Sequence, residues 1–154
     1  MKIAALVFAV LLAFSFAKAE PLPLDKEKEA SQAFLDKEAK TPKTEKTLSG
    51  LLYRETKTGK GANPKPTDEV TVEYTGTNRE GKVFDSTKGR GPATFPLNAV
   101  IKCWTEALQR MKVGGKSVIV CPSEIAYGDR AMGDAIPAGA ALKFEVSLLK
   151  INGK

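Results

Sequence analysis

The side chains that could do chemistry in this chain are few. There is no histidine, which removes the commonest general base and the commonest metal ligand. Neither a Ser-His-Asp nor a Cys-His mechanism can be assembled, nor a His-ligated zinc site. What remains includes aromatic residues scattered along the chain, among them Tyr74, Phe84, Phe95, Trp104, Tyr127 and Phe144, with Asp85 directly after Phe84. Each has a plain reading from its own surroundings. Trp104, Tyr74 and Phe144 fit a hydrophobic core. Asp85 can be an ordinary turn acid, or a pocket carboxylate that needs a partner among the rings. Tyr127, in Ala126-Tyr127-Gly128, has no core pattern around it, which favours a binding role.

Cys103 and Cys121 are the two cysteines. They are too few for a four-thiolate zinc site, and neither metal nor cofactor is expected. They are either a disulfide or a pair of buried thiols. The even count in an exported chain favours the bridge, and geometry decides.

Export is read from the N-terminus. Lys2, the apolar run Ile3 to Phe14 and Ala17-Lys18-Ala19 form a secretory signal pattern, cut after Ala19. The run is shorter than the roughly 18–20 residues that span a bilayer. The expected division is signal peptide 1–19, charged segment 20–49 and one compact domain 50–154, in the periplasm or secreted, with no membrane attachment after cleavage. The net charge is +6, but Lys alternates with Glu and Asp and no basic helix is visible. Nucleic acid is therefore not an expected partner.

The elements that must position the aromatic set follow from periodicity. A helix from about Asp25 to Lys40 carries a thin apolar face at Ala30, Ala33 and Phe34, marginal by itself in water. Thr41-Pro42 stops it, and Thr44 to Ser49 is a polar connector. Leu51 to Thr56 is a strand. Val70, Val72 and Tyr74 alternate with Thr71, Glu73 and Thr75, the period of a half-buried strand. Val83 to Ser86 is a short strand, and Thr94 to Pro96 an edge segment. One amphipathic helix, about Cys103 to Lys112, aligns Trp104, Leu108 and Met111 at i, i+4 and i+7 and ends at Gly114-Gly115. Ser117 to Cys121 is apolar on both faces, hence a central strand. A long loop runs to Pro137, and a last strand, about Ala141 to Ile151, turns Leu142, Phe144, Val146 and Leu148 to one side. The expected fold is α+β, an antiparallel twisted sheet wrapped around one short helix.

Several blocks then occur in order: Val72-Glu73-Tyr74-Thr75-Gly76, Gly81-Lys82-Val83-Phe84-Asp85-Ser86-Thr87, Val100 to Leu108, Met111-Lys112-Val113-Gly114-Gly115, Ala126-Tyr127-Gly128, Ile136-Pro137 and Leu142 to Val146. Together they span about Gly50 to Ile151. The set resembles FKBP-type peptidyl-prolyl cis/trans isomerases, and more closely the secreted bacterial members of the macrophage infectivity potentiator type, here with a shortened N-terminal region. Ala33-Phe34-Leu35 and Leu48-Ser49-Gly50-Leu51 are similar to the end of that group's helical dimerisation region. Most of that region is missing, so a monomer is expected.

The resemblance implies a pocket walled by Tyr74, Phe84, Asp85, Phe95, Val100, Ile101, Tyr127, Ile136 and Phe144, with Trp104 as its floor. It further implies that Asp85, Tyr127 and the backbone N–H of Ile101 make the polar contacts. Proline-containing polypeptides would be the substrates, and macrolide inhibitors would bind. Two departures stand out: Cys103 where the family often has Gly, and Ala138 where many members have a second Pro. A chaperone-like module that holds proline segments with little turnover is the alternative, and an interaction role for the charged N-terminal segment is a third.

Overall fold

The computed structural model describes residues 20–153; the signal-peptide assignment lies outside them. Seven strands form one antiparallel sheet in the order β1-β2-β6-β7-β3-β4, with β5 also pairing to β3. They are β1 (Glu45–Lys46), β2 (Leu52–Lys57), β3 (Glu69–Asn78), β4 (Val83–Ser86), β5 (Ala93–Pro96), β6 (Lys116–Cys121) and β7 (Leu142–Ile151). Helix α2 (Lys102–Arg110) crosses one face of the sheet, and α1 (Leu24–Ala39) lies outside it.

The alternation read in β3 holds. Val70, Val72 and Tyr74 are buried and share a core with Trp104, Ala107, Leu108 and Met111 from and after α2. In β7 the inward residues are Leu142, Phe144, Val146 and Leu148, and the phase then slips. Val72 pairs with Leu148 but Thr71 pairs with Lys150. Leu149 is the extra residue of a bulge, which returns Ile151 to the core beside Val70. β6 is interior, between β2 and β7. Its two apolar faces have different covers. Ile119 and Cys121 join the main core. Val120 lies opposite Leu52 in register, and Leu52 lines a cleft together with Leu35 and Ala39 of α1.

Two expectations about the N-terminal segment need correction. The connector 44–49 is not irregular throughout. Glu45 and Lys46 pair with Tyr53 and Leu52, and Gly50, at φ +90°, makes the turn. Nor is α1 held by the face Ala30, Ala33 and Phe34 alone. Ala30 and Phe34 are half-buried and Ala33 is exposed, whereas Glu27 and Ser31 are fully buried. The docked stripe of Glu27, Ser31, Phe34 and Glu38 has helical spacing, but it is mainly polar.

Candidate active site

The site is set where β3, β4, β5, β7 and α2 converge. Between β5 and α2 the chain makes a single 3-10 turn, Leu97–Ala99. The Leu97 N–H donates to the Asp68 carbonyl, and the Leu97 carbonyl accepts from Thr105 Oγ1 at 2.6 Å. These bonds pin Val100 and Ile101 at the mouth of α2. The Ile101 carbonyl caps the helix by accepting from Trp104 N–H and Thr105 N–H, while the Ile101 N–H has no protein acceptor among the described residues.

Trp104 is the hub of the ring cluster. It makes edge contacts with Tyr74 at 5.0 Å, Phe144 at 5.4 Å and Phe95 at 5.8 Å between centroids. Phe84 meets Phe144 edge-on at 5.5 Å. Perpendicular arrangements suit the ring quadrupoles. The indole is 5% exposed, and its Nε1–H is a buried donor with no acceptor among the described residues, an exception among buried polar groups. The rings enclose a cavity of about 310 Å³ lined by Tyr74, Phe84, Asp85, Phe95, Ala99, Val100, Ile101, Trp104, Tyr127 and Phe144.

Gly76 explains how two of those rings reach the cavity. A Cβ at this position would stand 2.6 Å from Phe84 Cζ and 2.9 Å from Phe144 Cε1, so both rings rest on bare backbone.

The polar groups are ordered. The Tyr74 hydroxyl donates to Asp85 Oδ2, and Arg90 donates to Asp85 Oδ1 at 2.6 Å. Arg90 is itself held by the Ser86 carbonyl, which accepts from its Nε at 2.8 Å. The Asp85 carboxylate thus has the partners that its place among rings demands. Burial, reinforced by the hydrogen bond and negative charge of Asp85, pushes the Tyr74 hydroxyl up to about 12. It is therefore a donor at any physiological pH. Tyr127, on the loop after β6, has a hydroxyl with no protein partner among the described residues.

Below the floor, Cys103 in the first turn of α2 is joined to Cys121 at the end of β6, with Cα atoms 5.9 Å apart. The bridge fixes the helix that carries Trp104 to an interior strand.

Most of the expected wall residues therefore meet in one place. Ile136 does not line the cavity. It is 5% exposed in the hydrophobic core, turned there by a narrow bridge in which its carbonyl accepts from Met132 N–H at 2.8 Å. Ala99 is a lining residue that sequence reasoning missed; a small residue in a turn has no periodic signature. A wider depression, about 680 Å³, lies on the outward face of the sheet, lined by Glu73, Thr75, Lys116, Glu145 and Ser147 among others. It lacks the ring cluster.

The family model for FKBP-type peptidyl-prolyl cis-trans isomerases matches residues 60–149. The chain belongs to the FKBP family. This FKBP is 48% identical over 136 residues to the FKBP-type peptidyl-prolyl cis-trans isomerase FkpA of Aeromonas hydrophila, covering 88% of the chain and 50% of that protein. It is 43% identical over 127 residues to the peptidyl-prolyl cis-trans isomerase Mip of Coxiella burnetii, covering 82% of the chain and 55% of that protein. The chain thus spans about half the length of these relatives. Its fold superposes on a peptidyl-prolyl cis-trans isomerase crystal structure from Pseudomonas syringae with TM-score 0.80 and 34% identity, covering 86% of this FKBP and 98% of that chain.

Proposed function

We propose that this FKBP accelerates cis/trans isomerisation of X–Pro bonds in exported polypeptides. The observation that carries the reading is the ring-walled cavity over Trp104, which holds a few oriented polar groups. Amide rotation meets a barrier of about 18–20 kcal/mol because resonance must be broken. No covalent bond is made or cut, so the enzyme need only bind the twisted amide better than either planar form. Twisting takes charge separation out of the amide. A dry aromatic pocket replaces the hydration that favours the planar, more polar state, a desolvation mechanism.

In this reading the prolyl ring enters against Trp104, Tyr74, Phe95 and Phe144. The unpartnered Ile101 N–H and Tyr127 hydroxyl donate to carbonyls flanking the proline. Asp85, fixed by Tyr74 and Arg90, sets the polar rim and keeps a lone pair free for the substrate. No proton needs to be transferred, in keeping with a chain that lacks histidine. Macrolides that present a proline-like ring occupy the same cavity. The signal-like N-terminus supports a periplasmic or secreted location, as does the Cys103–Cys121 bridge, since disulfides persist in oxidising compartments. Division at 19 and 49 and a monomeric state complete the proposal.

The test is the cis-to-trans rate of a short X–Pro peptide with the wild-type protein, Tyr127→Phe and Asp85→Ala. Wild type accelerates the exchange. Each folded variant loses about threefold to tenfold in kcat/KM, the worth of one hydrogen bond. A folded wild-type protein that leaves the rate unchanged overturns the proposal.

A further inference from the structure

The N-terminal helix α1 lies outside the sheet, yet it makes a set of contacts that converge on the loops bearing the pocket. Glu27 is 1% exposed. Its carboxylate accepts from Arg79 Nε at 2.8 Å and from Arg79 Nη2 at 2.9 Å, a two-point ion pair. One turn later Ser31 Oγ donates to Glu27 at 3.3 Å and accepts from the Ala141 N–H at 2.9 Å. Lys28 reaches Asp129 at 2.9 Å, and Lys143 reaches Glu38 at 3.2 Å.

These partners occupy two loops. Arg79 lies in the turn from β3 to β4, the strand that carries Phe84 and Asp85. Asp129 and Ala141 lie on the two legs of the loop that carries Tyr127. The loops are also tied to each other, because Asn78 Nδ2 donates to the Ala135 carbonyl at 3.0 Å. Within the long loop, Gly139 N–H donates to the Gly128 carbonyl at 2.9 Å, next to Tyr127. Helix, turn and loop therefore form a closed polar circuit. It runs from Glu27 through Arg79, Asn78 and Ala135, and returns through Ala141 to Ser31. A buried carboxylate is an expensive device for fastening a helix to a surface, and an apolar stripe would dock it without desolvating a charge. What the carboxylate adds is direction, since a two-point pair fixes the angle of the Arg79 turn.

We infer that α1 is a positioning brace for the pocket, with Glu27 and Ser31 as positioning residues that hold the Arg79 turn and the Tyr127 loop at a fixed separation. Neither residue touches the substrate. The inference rests on the pocket's being the prolyl site, but its first readout does not require turnover.

The experiment uses the full chain carrying Glu27→Ala or Ser31→Ala, with Lys26→Ala as a control, since Lys26 lies on the exposed face of α1, where it pairs with Glu29. In Glu27→Ala, amide deuterium exchange rises about tenfold within 126–141 and stays unchanged in the centres of β3 and β7. With the X–Pro peptide, KM rises about fivefold while kcat is held. Ser31→Ala removes the acceptor of the Ala141 N–H and the weak donor to Glu27 but leaves the Glu27–Arg79 pair in place, and gives a smaller local rise, about threefold, a readout that stands even where Glu27→Ala does not fold. Lys26→Ala matches wild type in both readouts. The inference is overturned if exchange rises equally in β3 and β7, if the loop does not respond, or if KM is unchanged in a folded Glu27→Ala protein. Should wild type show no isomerase activity, the functional reading fails by itself, and the exchange pattern alone judges the brace.

Discussion

Gly76→Ala is a one-methyl test of the pocket. The backbone at Gly76 lies outside the left-handed region, so the residue is required for space alone. The new methyl would meet Phe84 Cζ at 2.6 Å and Phe144 Cε1 at 2.9 Å, against ordinary carbon contacts of about 3.5–4.0 Å. Something must move by roughly 1 Å. Phe144 is 4% exposed and held edge-on between Trp104 and Phe84, so it cannot yield. Phe84 is half-buried and swings toward the rim. Overpacking of this kind costs about 1–3 kcal/mol. That strain is present without substrate, so a urea melt should lose about 1–3 kcal/mol. The displaced Phe84 separately alters the cavity wall, and about 1.4 kcal/mol of lost contact is tenfold. The expected result is a tenfold fall in kcat/KM for an X–Pro peptide, through KM, in a protein that still folds. Trp104 is the chain's single tryptophan, so its emission reports the pocket directly and should shift in the variant. A folded Gly76→Ala protein with kcat/KM within twofold of wild type and unchanged emission would refute the packing argument.

Two further outcomes are expected. Reducing the Cys103–Cys121 bridge, or replacing both cysteines by Ser, should lower unfolding stability by about 3 kcal/mol, the chain-entropy value for a loop of this length. Urea melts with and without reductant measure it, and coincident curves for a protein shown to be bridged would contradict it. For Tyr74, the hydroxyl titrates near 10 when unfolded and at about 12 when folded. The folded state therefore holds its proton more tightly. The stability this contributes is fully present below pH 10 and is lost as pH rises from 10 through 12. Ultraviolet titration should show a late phenolate step that disappears in Tyr74→Phe; a step that stays in place would assign it to another tyrosine.

Much of the pocket was readable in the sequence because its residues obey strong periodicities. Tyr74 and Phe144 fall on the inward phase of two paired strands, and Trp104 starts a helix whose apolar face is unmistakable. The parts that were not readable depend on polar partners far apart in the chain. Glu27 and Arg79 are separated by 52 residues, and nothing local marks Glu27 as buried or Arg79 as its partner. The apolar spacing of α1 located the docked face only in part, since Ala30 and Phe34 are half-buried but Ala33 turns outward while Ser31 turns in. Ile136, expected in the wall, lies in the hydrophobic core and not in the cavity lining, and no periodicity in its irregular loop marks which way it faces.

The position of β7 in the sheet has a consequence for how the molecule comes into being. This strand follows the other six in sequence, yet it lies between β6 and β3 and contributes Phe144 to the pocket. Before it arrives, β3 and β6 have no neighbour to join them, and the two halves of the sheet are separate. Closing such long-range pairings is slow compared with local hairpins. A chain that emerges from its N-terminus would therefore keep the two halves of its sheet apart until β7 followed. The ring-walled cavity, which needs Phe144, is then completed in the same event as the sheet.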